Sequence, residues 1–261
     1  MKAPYVSIPP DAQGHIHYPV ENHHTWRTLF ERQQQHVQGR AAPEFLRGIA
    51  ELGFEATGIP QHRQVSARLA RSHGWGVEPV AALIPASEFF GLLARKRFPA
   101  ASFIRRAEDL DYIMEPDIFH EFFGHCPLLT HGPYAEFMHA FGRVALEATP
   151  RDRVRLFRLF WFTIEFGLID TREGLRAYGG GILSSFGETS YALESPAPKR
   201  IPFDPIEALR TPFRIDILQP VYFVIKSFDE LYHLLDHNLH ELLAEARGLG
   251  DRAALFSPKT N

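Results

Sequence analysis

The chain has 261 residues, of which 45% are hydrophobic and 23% are charged, a balance typical of a soluble protein with a substantial core. The net charge of −3 lacks the basic footprint of a nucleic-acid-binding protein, and no stretch is apolar for long enough to span a membrane. The single cysteine, Cys126, excludes an internal disulfide.

The first residues combine prolines with polar side chains, so they lack the apolar run of a secretory signal peptide. Together with the single cysteine, this start predicts a protein of the cytoplasm. We expect residues 1–20 to form an irregular arm, residues 21–247 a single domain and residues 248–261 a loose tail.

Hydrophobic periodicity predicts a mainly α fold with a few short strands, an α+β protein. Trp26, Leu29 and Phe30 share one face of a first helix, and Thr25 is its candidate N-cap. Further helical patterns cover residues 43–54, 65–73, 86–96, 131–148, 151–169, 187–193 and 227–246. The first of these is expected to end at Gly53 and the second to stop at Gly74. Apolar runs predict strands at 80–84, 98–105 and 213–217, and a proline-rich linker at 196–203.

The stretch 115–130, EPDIFHEFFGHCPLLT, contains two histidines among apolar residues, which indicates a transition-metal site. His120 and His125 are five residues apart, one more than in the zinc-protease pattern H-E-x-x-H. On an α-helix a spacing of four separates two side chains by about 40° and a spacing of five by about 140°. Either Gly124 loosens the turn or the metal lies at the end of the helix, and the spacing argues against a zinc protease.

Glu165 is the candidate third ligand. It lies in LFRLFWFTIEFGLI, where its helical neighbours are apolar, and a buried carboxylate costs several kcal/mol unless it is paired or bound to metal. Two histidines and one carboxylate leave open positions on an ion, as in non-haem iron(II) oxygenases. The alternative is that Glu165 pairs with a distant arginine and that the two histidines are ordinary core residues.

Four segments occur in the order EPDIFHEFFGHCPLL, FWFTIEFGL, AYGGGILSSFGE and LQPVYFVIKSF. With them the chain resembles the tetrahydropterin-dependent aromatic amino acid hydroxylases, most closely the bacterial phenylalanine 4-hydroxylases. The resemblance covers residues 20–240. It implies the family's mainly helical catalytic-domain fold, iron(II) as cofactor, and a tetrahydropterin and dioxygen as cosubstrates. It also implies hydroxylation of L-phenylalanine to L-tyrosine.

The iron ligands that the resemblance implies agree with those chosen from the residues alone: His120, His125 and Glu165. Glu121 matches a carboxylate near the pterin and the iron-bound water, which gives it an implied catalytic role. Phe89 matches an aromatic residue that stacks on the pterin ring, and Ile84 would line the same site.

On the substrate side, Arg105 matches the arginine that clamps the amino acid's carboxylate, and Asp117 matches the acid that holds this arginine. Ser184 matches a hydroxyl near the substrate and the imidazole of His120, a second implied catalytic position. Other residues are implied to shape the substrate pocket: Pro116 and Trp161 as walls, Gly181 through close backbone approach, and Ile215 where tyrosine hydroxylases tend to carry an aspartate.

Animal members of this family carry a regulatory domain and a C-terminal tetramerisation helix, for which this sequence has no room. We therefore expect a monomer without activation by phenylalanine. The alternatives are a tyrosine or tryptophan hydroxylase of the same family, a zinc hydrolase that uses His120, His125 and Glu121, and a non-catalytic pterin- or metal-binding module.

Overall fold

The computed structural model describes residues 5–81, 84–111, 113–235 and 239–257. This part of the chain is mostly helical, with two small β-sheets, which confirms the predicted α+β class. The α-helices are α1 (Val20–His36), α2 (Pro43–Leu52), α3 (His62–His73), α4 (Ala86–Leu93), α5 (Gly132–Glu147), α6 (Pro150–Phe160), α7 (Gly180–Leu183), α8 (Phe186–Glu194), α9 (Pro205–Arg210), α10 (Phe228–Tyr232) and α11 (Leu239–Leu249). Turns of 3₁₀-helix lie at Ala107–Asp109, Cys126–Thr130 and His233–Leu235, and π-helical turns at His120–His125 and Trp161–Glu165. The strands are β1 (Gly76–Val80), β2 (Arg97–Ala101), β3 (Leu168–Thr171), β4 (Gly174–Ala177), β5 (Lys199–Pro202) and β6 (Val221–Ile225). Within these ranges, no helix combines the length and apolarity needed to cross a membrane.

Glycines end the second and third helices, as the sequence predicts. Gly53 and Gly74 have φ angles of 54° and 73° at the C-caps of α2 and α3, a left-handed conformation that glycine adopts without steric cost. The candidate cap at Thr25 is wrong, because α1 already begins at Val20. The Thr25 hydroxyl instead donates to the carbonyl of Glu21 within the helix.

The two sheets bring distant segments together. Strands β1 and β2 are parallel and are linked by α4, and the second sheet has the order β4-β3-β6-β5. In that sheet β3 and β4 form an antiparallel hairpin, while β6 runs parallel to both β3 and β5. The hairpin starts just after the π-helical turn Trp161–Glu165 and returns the chain so that Tyr178 and Gly179 donate to the carbonyl of Gly167.

Several predicted elements are corrected. The strand expected at 213–217 is an irregular loop, and the linker expected at 196–203 contains β5. The helix expected at 151–169 ends at Phe160, after which the backbone forms a π-helical turn and then β3. The final helix expected at 227–246 is divided into α10, a 3₁₀ turn and α11, and residues 236–238 lie outside the described ranges.

Aromatic packing anchors the histidine segment from within. Phe119, Phe122 and Phe123 are fully buried, and the rings of Phe119 and Phe123 stack with centroids 5.0 Å apart. Trp26 meets Phe119 edge-on from α1 at 5.5 Å. Truncating one such ring to alanine costs about 3–5 kcal/mol, so this segment is held in a rigid part of the core.

Both ends of the described chain run without helix or strand. Residues 5–19 precede α1, and residues 250–257 follow α11. The carboxylate of Asp251 pairs with Arg155 at 2.8 Å and with Arg158 at 2.7 Å. The boundaries of the arm, the single domain and the tail stay predictions.

Candidate metal centre and substrate site

A π-helical turn resolves the five-residue spacing of the two histidines. His120 and His125 are the first and last residues of this turn, in which the backbone N–H of Cys126 donates to the carbonyl of Glu121, five residues earlier. A π-helix bonds residue i to residue i+5, so positions five apart return to the same side of the helix. The wider turn therefore directs both imidazoles to one point, which an α-helix would not do.

The third predicted ligand, Glu165, lies at the end of the second π-helical turn, Trp161–Glu165. This turn is closed by the N–H of Phe166, which donates to the carbonyl of Trp161 at 2.8 Å. The extra residue in the turn changes the face of the segment on which the following side chain emerges. Glu165 is thereby directed toward the histidines rather than outward along the regular face of α6.

The three side chains converge with the spacing of ligands on one ion. The Nε2 atoms of His120 and His125 are 3.0 Å apart, Glu165 Oε1 is 3.2 Å from His125 Nε2, and Glu165 Oε2 is 3.6 Å from His120 Nε2. Metal–ligand bonds of about 2.1 Å at right angles separate neighbouring donors by about 3 Å. A cation at this point would satisfy the facing imidazole nitrogens and the carboxylate together, so the residues present fit a bound metal.

The protonation states suit a metal. Burial lowers the pKa of His120 to about 4, although the charge of Glu165 opposes this shift, so the imidazole is neutral and carries a lone pair. Burial alone would raise the pKa of Glu165, but the facing histidines and a hydrogen bond from the backbone of Gly181 lower it below its ordinary value. The His120 imidazole and the Glu165 carboxylate are therefore both in the protonation state that binds a metal.

Each histidine ring is held in a different way. Ser184 Oγ lies 2.9 Å from His120 Nδ1, so Nδ1–H can donate to the hydroxyl while Nε2 faces the cluster. The His125 ring packs 5.2 Å from the ring of Phe98, and its Nδ1 is buried with no hydrogen-bond partner among the described residues. A Cβ atom at Gly180 would overlap the His125 ring, so only glycine fits there.

Glu121 is a second carboxylate near the cluster, and its donor oxygen lies within 4.8 Å of both imidazoles. Burial raises the pKa of Glu121 well above its ordinary value, and the negative charges of Glu165 and Asp117 raise it further. Glu165 approaches the two imidazole nitrogens to 3.2 and 3.6 Å, so the distances favour Glu165 as the third ligand over the zinc-hydrolase set that contains Glu121.

Arg105 and Asp117 form a buried ion pair beside the cluster. Arg105 donates from Nε at 2.8 Å and from Nη2 at 2.9 Å to the two oxygens of Asp117, and its backbone N–H donates to the same group. Asp117 also accepts the backbone N–H of His120 at 3.0 Å. Burial would raise the pKa of Asp117, but the charge and hydrogen bonds of Arg105 lower it below its ordinary value. One carboxylate thus links the arginine to the metal-ligand turn.

The predicted aromatic wall is a stack of rings. The indole of Trp161 lies parallel to Phe213 at 4.3 Å and against Phe166 at 4.4 Å. Its Nε1–H donates to Gln219 Oε1 at 3.0 Å. Phe89 is half-buried on α4 and meets Phe160, the residue before Trp161, edge-on at 5.5 Å.

The other predicted pocket residues lie around this wall. Pro116 is half-buried beside Asp117, and Ile84 is half-buried next to the gap at residues 82–83. Ile215 is 52% exposed on the loop that precedes β6. The roles of these residues stay predictions. Reasoning from the sequence missed two residues of the site, Gly180 and Gln219, because their importance lies only in tertiary contacts.

Comparison with known proteins gives one consistent answer. The model of the biopterin-dependent aromatic amino acid hydroxylase family matches residues 10–244. A phenylalanine-4-hydroxylase of Pseudomonas aeruginosa is 51% identical over 98% of this chain and 97% of its own length.

Solved structures agree with the sequence comparison. Phenylalanine hydroxylase from Legionella pneumophila is 54% identical, with a TM-score of 0.94 over 97% of this chain and 100% of that chain. The Chromobacterium violaceum phenylalanine hydroxylase with bound oxidised Fe(III) is 38% identical, with a TM-score of 0.89 over 94% of this chain and 89% of that chain.

Proposed function

Because the chain belongs to the biopterin-dependent aromatic amino acid hydroxylase family, we propose that it is a phenylalanine 4-monooxygenase. This oxidoreductase converts L-phenylalanine to L-tyrosine, with a tetrahydropterin and dioxygen as cosubstrates. The observation that carries the proposal is the convergence of two imidazoles and one carboxylate with donor atoms 3.0–3.6 Å apart. This facial set is that of the non-haem iron(II) oxygenases.

His120, His125 and Glu165 would hold the iron(II). When bound there, the ion supplies the activation of dioxygen with electrons from the pterin. The chain's own contribution is to hold the three donors, to keep the His120 imidazole neutral and to keep bulk water out. Ser184 supports this arrangement, since its hydroxyl fixes the orientation of the His120 ring.

Arg105 would bind the carboxylate of phenylalanine. Asp117 occupies its Nε and one N–H of Nη2, and Nη1 has only a 3.5 Å contact to the carbonyl of Leu110. The outer edge of the guanidinium therefore retains N–H donors in the fork geometry that a second carboxylate matches. Because Asp117 also bonds the backbone of His120, the amino acid would be held at a defined distance from the metal ligands.

The aromatic ring of the substrate would lie against Trp161 and Pro116, with Gly181 allowing close approach and Ile215 on the loop. An apolar wall offers no partner for a phenol or an indole N–H, which favours phenylalanine over tyrosine and tryptophan. Such a pocket rejects an added hydroxyl only modestly, so slower turnover of the other two amino acids is expected.

The pterin would stack on Phe89 beside Ile84. Glu121 would face it from the metal-ligand turn, where burial raises the pKa of its carboxyl group. We further propose that the protein acts as a monomer in the cytoplasm, a reducing compartment that suits its single cysteine, Cys126.

The test is an assay of tyrosine formation from phenylalanine with added ferrous iron, tetrahydropterin and oxygen. Parallel assays with tyrosine and tryptophan measure selectivity, and metal analysis of the active protein identifies the ion. We expect iron-dependent tyrosine formation with the highest kcat/KM for phenylalanine. A higher kcat/KM for tryptophan would reassign the substrate, and hydrolytic activity with zinc and no pterin would refute the class of reaction.

A further inference from the structure

Gln219 is a buried side chain that joins the aromatic wall to the loop of residues 212–218. Its exposed fraction is 1%, and it directly precedes the segment that leads into β6. Its Oε1 accepts the indole N–H of Trp161 at 3.0 Å. Its Nε2 donates to the backbone carbonyls of Arg214 at 3.0 Å and Ile217 at 2.8 Å. One amide group therefore holds two walls of the pocket.

The surroundings allow only one orientation of this amide. In the opposite orientation, the NH₂ group would face the indole N–H and the amide oxygen would face two carbonyl oxygens, so all three hydrogen bonds would be lost. The backbone N–H of Gln219 donates to Glu188 on α8 at 3.3 Å, and Tyr222 donates to the same carboxylate oxygen. These contacts fix the backbone from which the amide extends.

Other side chains of the loop also make contacts. Arg214 pairs with Asp216 two residues away, which bends the loop, and its Nη1 donates to the carbonyl of Ser257. Phe213 lies flat on the indole of Trp161. Ile215 is 52% exposed. Gln219 is therefore the side chain whose hydrogen bonds tie the backbone on both sides of Ile215 to the Trp161 indole.

We infer that Gln219 is a positioning residue that sets the width of the ring pocket, by fixing the Trp161 indole and the 212–218 loop relative to each other. The inference rests on the proposed function, which assigns the substrate ring to Trp161 and Ile215. Gln219 touches neither substrate nor metal. Its effect is on which aromatic ring fits, so it is a determinant of selectivity among the aromatic amino acids.

The experiment compares Gln219→Leu with a matched control, Gln61→Leu, in the iron-reconstituted full-length enzyme. Gln61 is also a buried glutamine that bonds backbone groups, those of Ile16, but it does so beside the N-terminal segment. For each variant, KM and kcat are measured for phenylalanine, tyrosine and tryptophan, together with KM for the pterin. Gln219→Glu is a second test variant, because it keeps the acceptor for Trp161 and removes the two N–H donors to the loop.

Loss of a buried hydrogen bond by Gln219→Leu is expected to raise KM for phenylalanine about tenfold and to lower the preference for phenylalanine over tryptophan severalfold. The pterin KM and the iron content should be unchanged. Gln219→Glu should lower the preference for phenylalanine over tryptophan to a similar extent as Gln219→Leu. Gln61→Leu should lower stability without changing the preference. If Gln219→Leu does not fold, the preference for phenylalanine over tryptophan is compared between Gln219→Glu and Gln61→Leu, and this comparison tests the inference.

A spectroscopic readout separates this inference from the proposed function. The chain has three tryptophans, so the fluorescence of Trp161 must be isolated by subtraction. For each variant, the emission spectrum of the same variant with Trp161→Phe added is subtracted from its own spectrum. We expect a blue shift of this component in Gln219→Leu, because the indole loses its hydrogen bond, and none in Gln61→Leu.

The inference is overturned if Gln219→Leu leaves the Trp161 emission unchanged and lowers kcat/KM for all three amino acids by one common factor. If the wild-type protein forms no tyrosine, the proposed function fails by itself. In that case the Trp161 emission, with and without added phenylalanine, still decides the role of Gln219.

Discussion

Replacing Asp117 by asparagine is expected to destabilise the protein strongly, because it removes the only carboxylate that pairs with the buried Arg105 in the described structure. Asp117 is fully buried and Arg105 is 4% exposed. Asparagine has nearly the same size, but it carries no charge and presents an NH₂ group. The carboxylate accepts N–H groups from Arg105 and from the backbone of His120, and an NH₂ group cannot accept them.

The expected loss of stability in Asp117→Asn follows from the burial of its ion pair with Arg105. Breaking a buried ion pair by removing one partner costs about 3–5 kcal/mol, since a bare charge stays in the core. For a chain of this length 1 kcal/mol lowers the melting temperature by about 2–4 °C, so Asp117→Asn should lower it by about 10 °C. Glu194→Gln is the control, because Glu194 also pairs with an arginine, Arg40 at 2.7 Å, but the two side chains are 53% and 34% exposed. There the loss should be about 1 kcal/mol or less, or roughly 2 °C.

Thermal and urea unfolding of the metal-free proteins measure both differences without a contribution from metal loss. A second readout is the KM for phenylalanine, which should rise severalfold in Asp117→Asn, because Arg105 loses the group that orients it, and stay unchanged in Glu194→Gln. Equal and small losses of stability in the two variants would refute the reasoning from burial. A normal KM in a destabilised Asp117→Asn would refute the link between Asp117 and substrate binding.

Three further predictions concern the metal ligands and pH. Glu165→Ala should abolish stable iron binding, measured by metal analysis after desalting, and full iron content with full activity would contradict the ligand set. Gly180→Ala should weaken iron binding about 10–100-fold, because the added methyl displaces the His125 ring, whereas Gly187→Ala, where a Cβ meets nothing within 4 Å, should not. Burial lowers the pKa of His62 to about 4, below the ordinary value of about 6.5. Between these two pH values, the unfolded chain binds a proton at His62 that the folded protein does not bind. Stability should therefore fall by about 2 kcal/mol from pH 7 to pH 5 through His62, and urea unfolding of His62→Gln should lack this component; an equal loss in that variant would exclude His62 as its origin.

The parts of the fold that the sequence predicted well are those whose cause is local. Glycines at the ends of α2 and α3 act through their own φ angles, and helical spacing of apolar residues reflects burial of one face. The 213–217 segment shows the opposite case. Phe213, Ile215 and Ile217 alternate as in a strand, but the carbonyl of Ile217 is bound by the side chain of Gln219 rather than by a neighbouring strand. No local pattern contains that information.

In the candidate site, too, some features follow from the sequence and others depend on tertiary structure. The sequence alone predicts Glu165 as the third metal ligand, because a carboxylate among apolar neighbours needs a partner. The five-residue spacing of His120 and His125 could not be interpreted on α-helical geometry, because the backbone departs from it. Gly180 was overlooked since its importance lies in the ring of His125, which the hairpin of β3 and β4 brings against it.

The two π-helical turns share a consequence for the metal centre. Each is bonded less favourably than an α-helical turn, so tertiary contacts must help to hold it. A Cβ atom at Gly124 would lie 2.6 Å from the carbonyl oxygen of Gly180, so the first turn and the glycine-rich segment are in direct backbone contact. Gly181 in turn donates to Glu165 at the end of the second turn. The donor spacing is therefore set by backbone against backbone, and not by flexible side chains, which is the condition for a preorganised metal site.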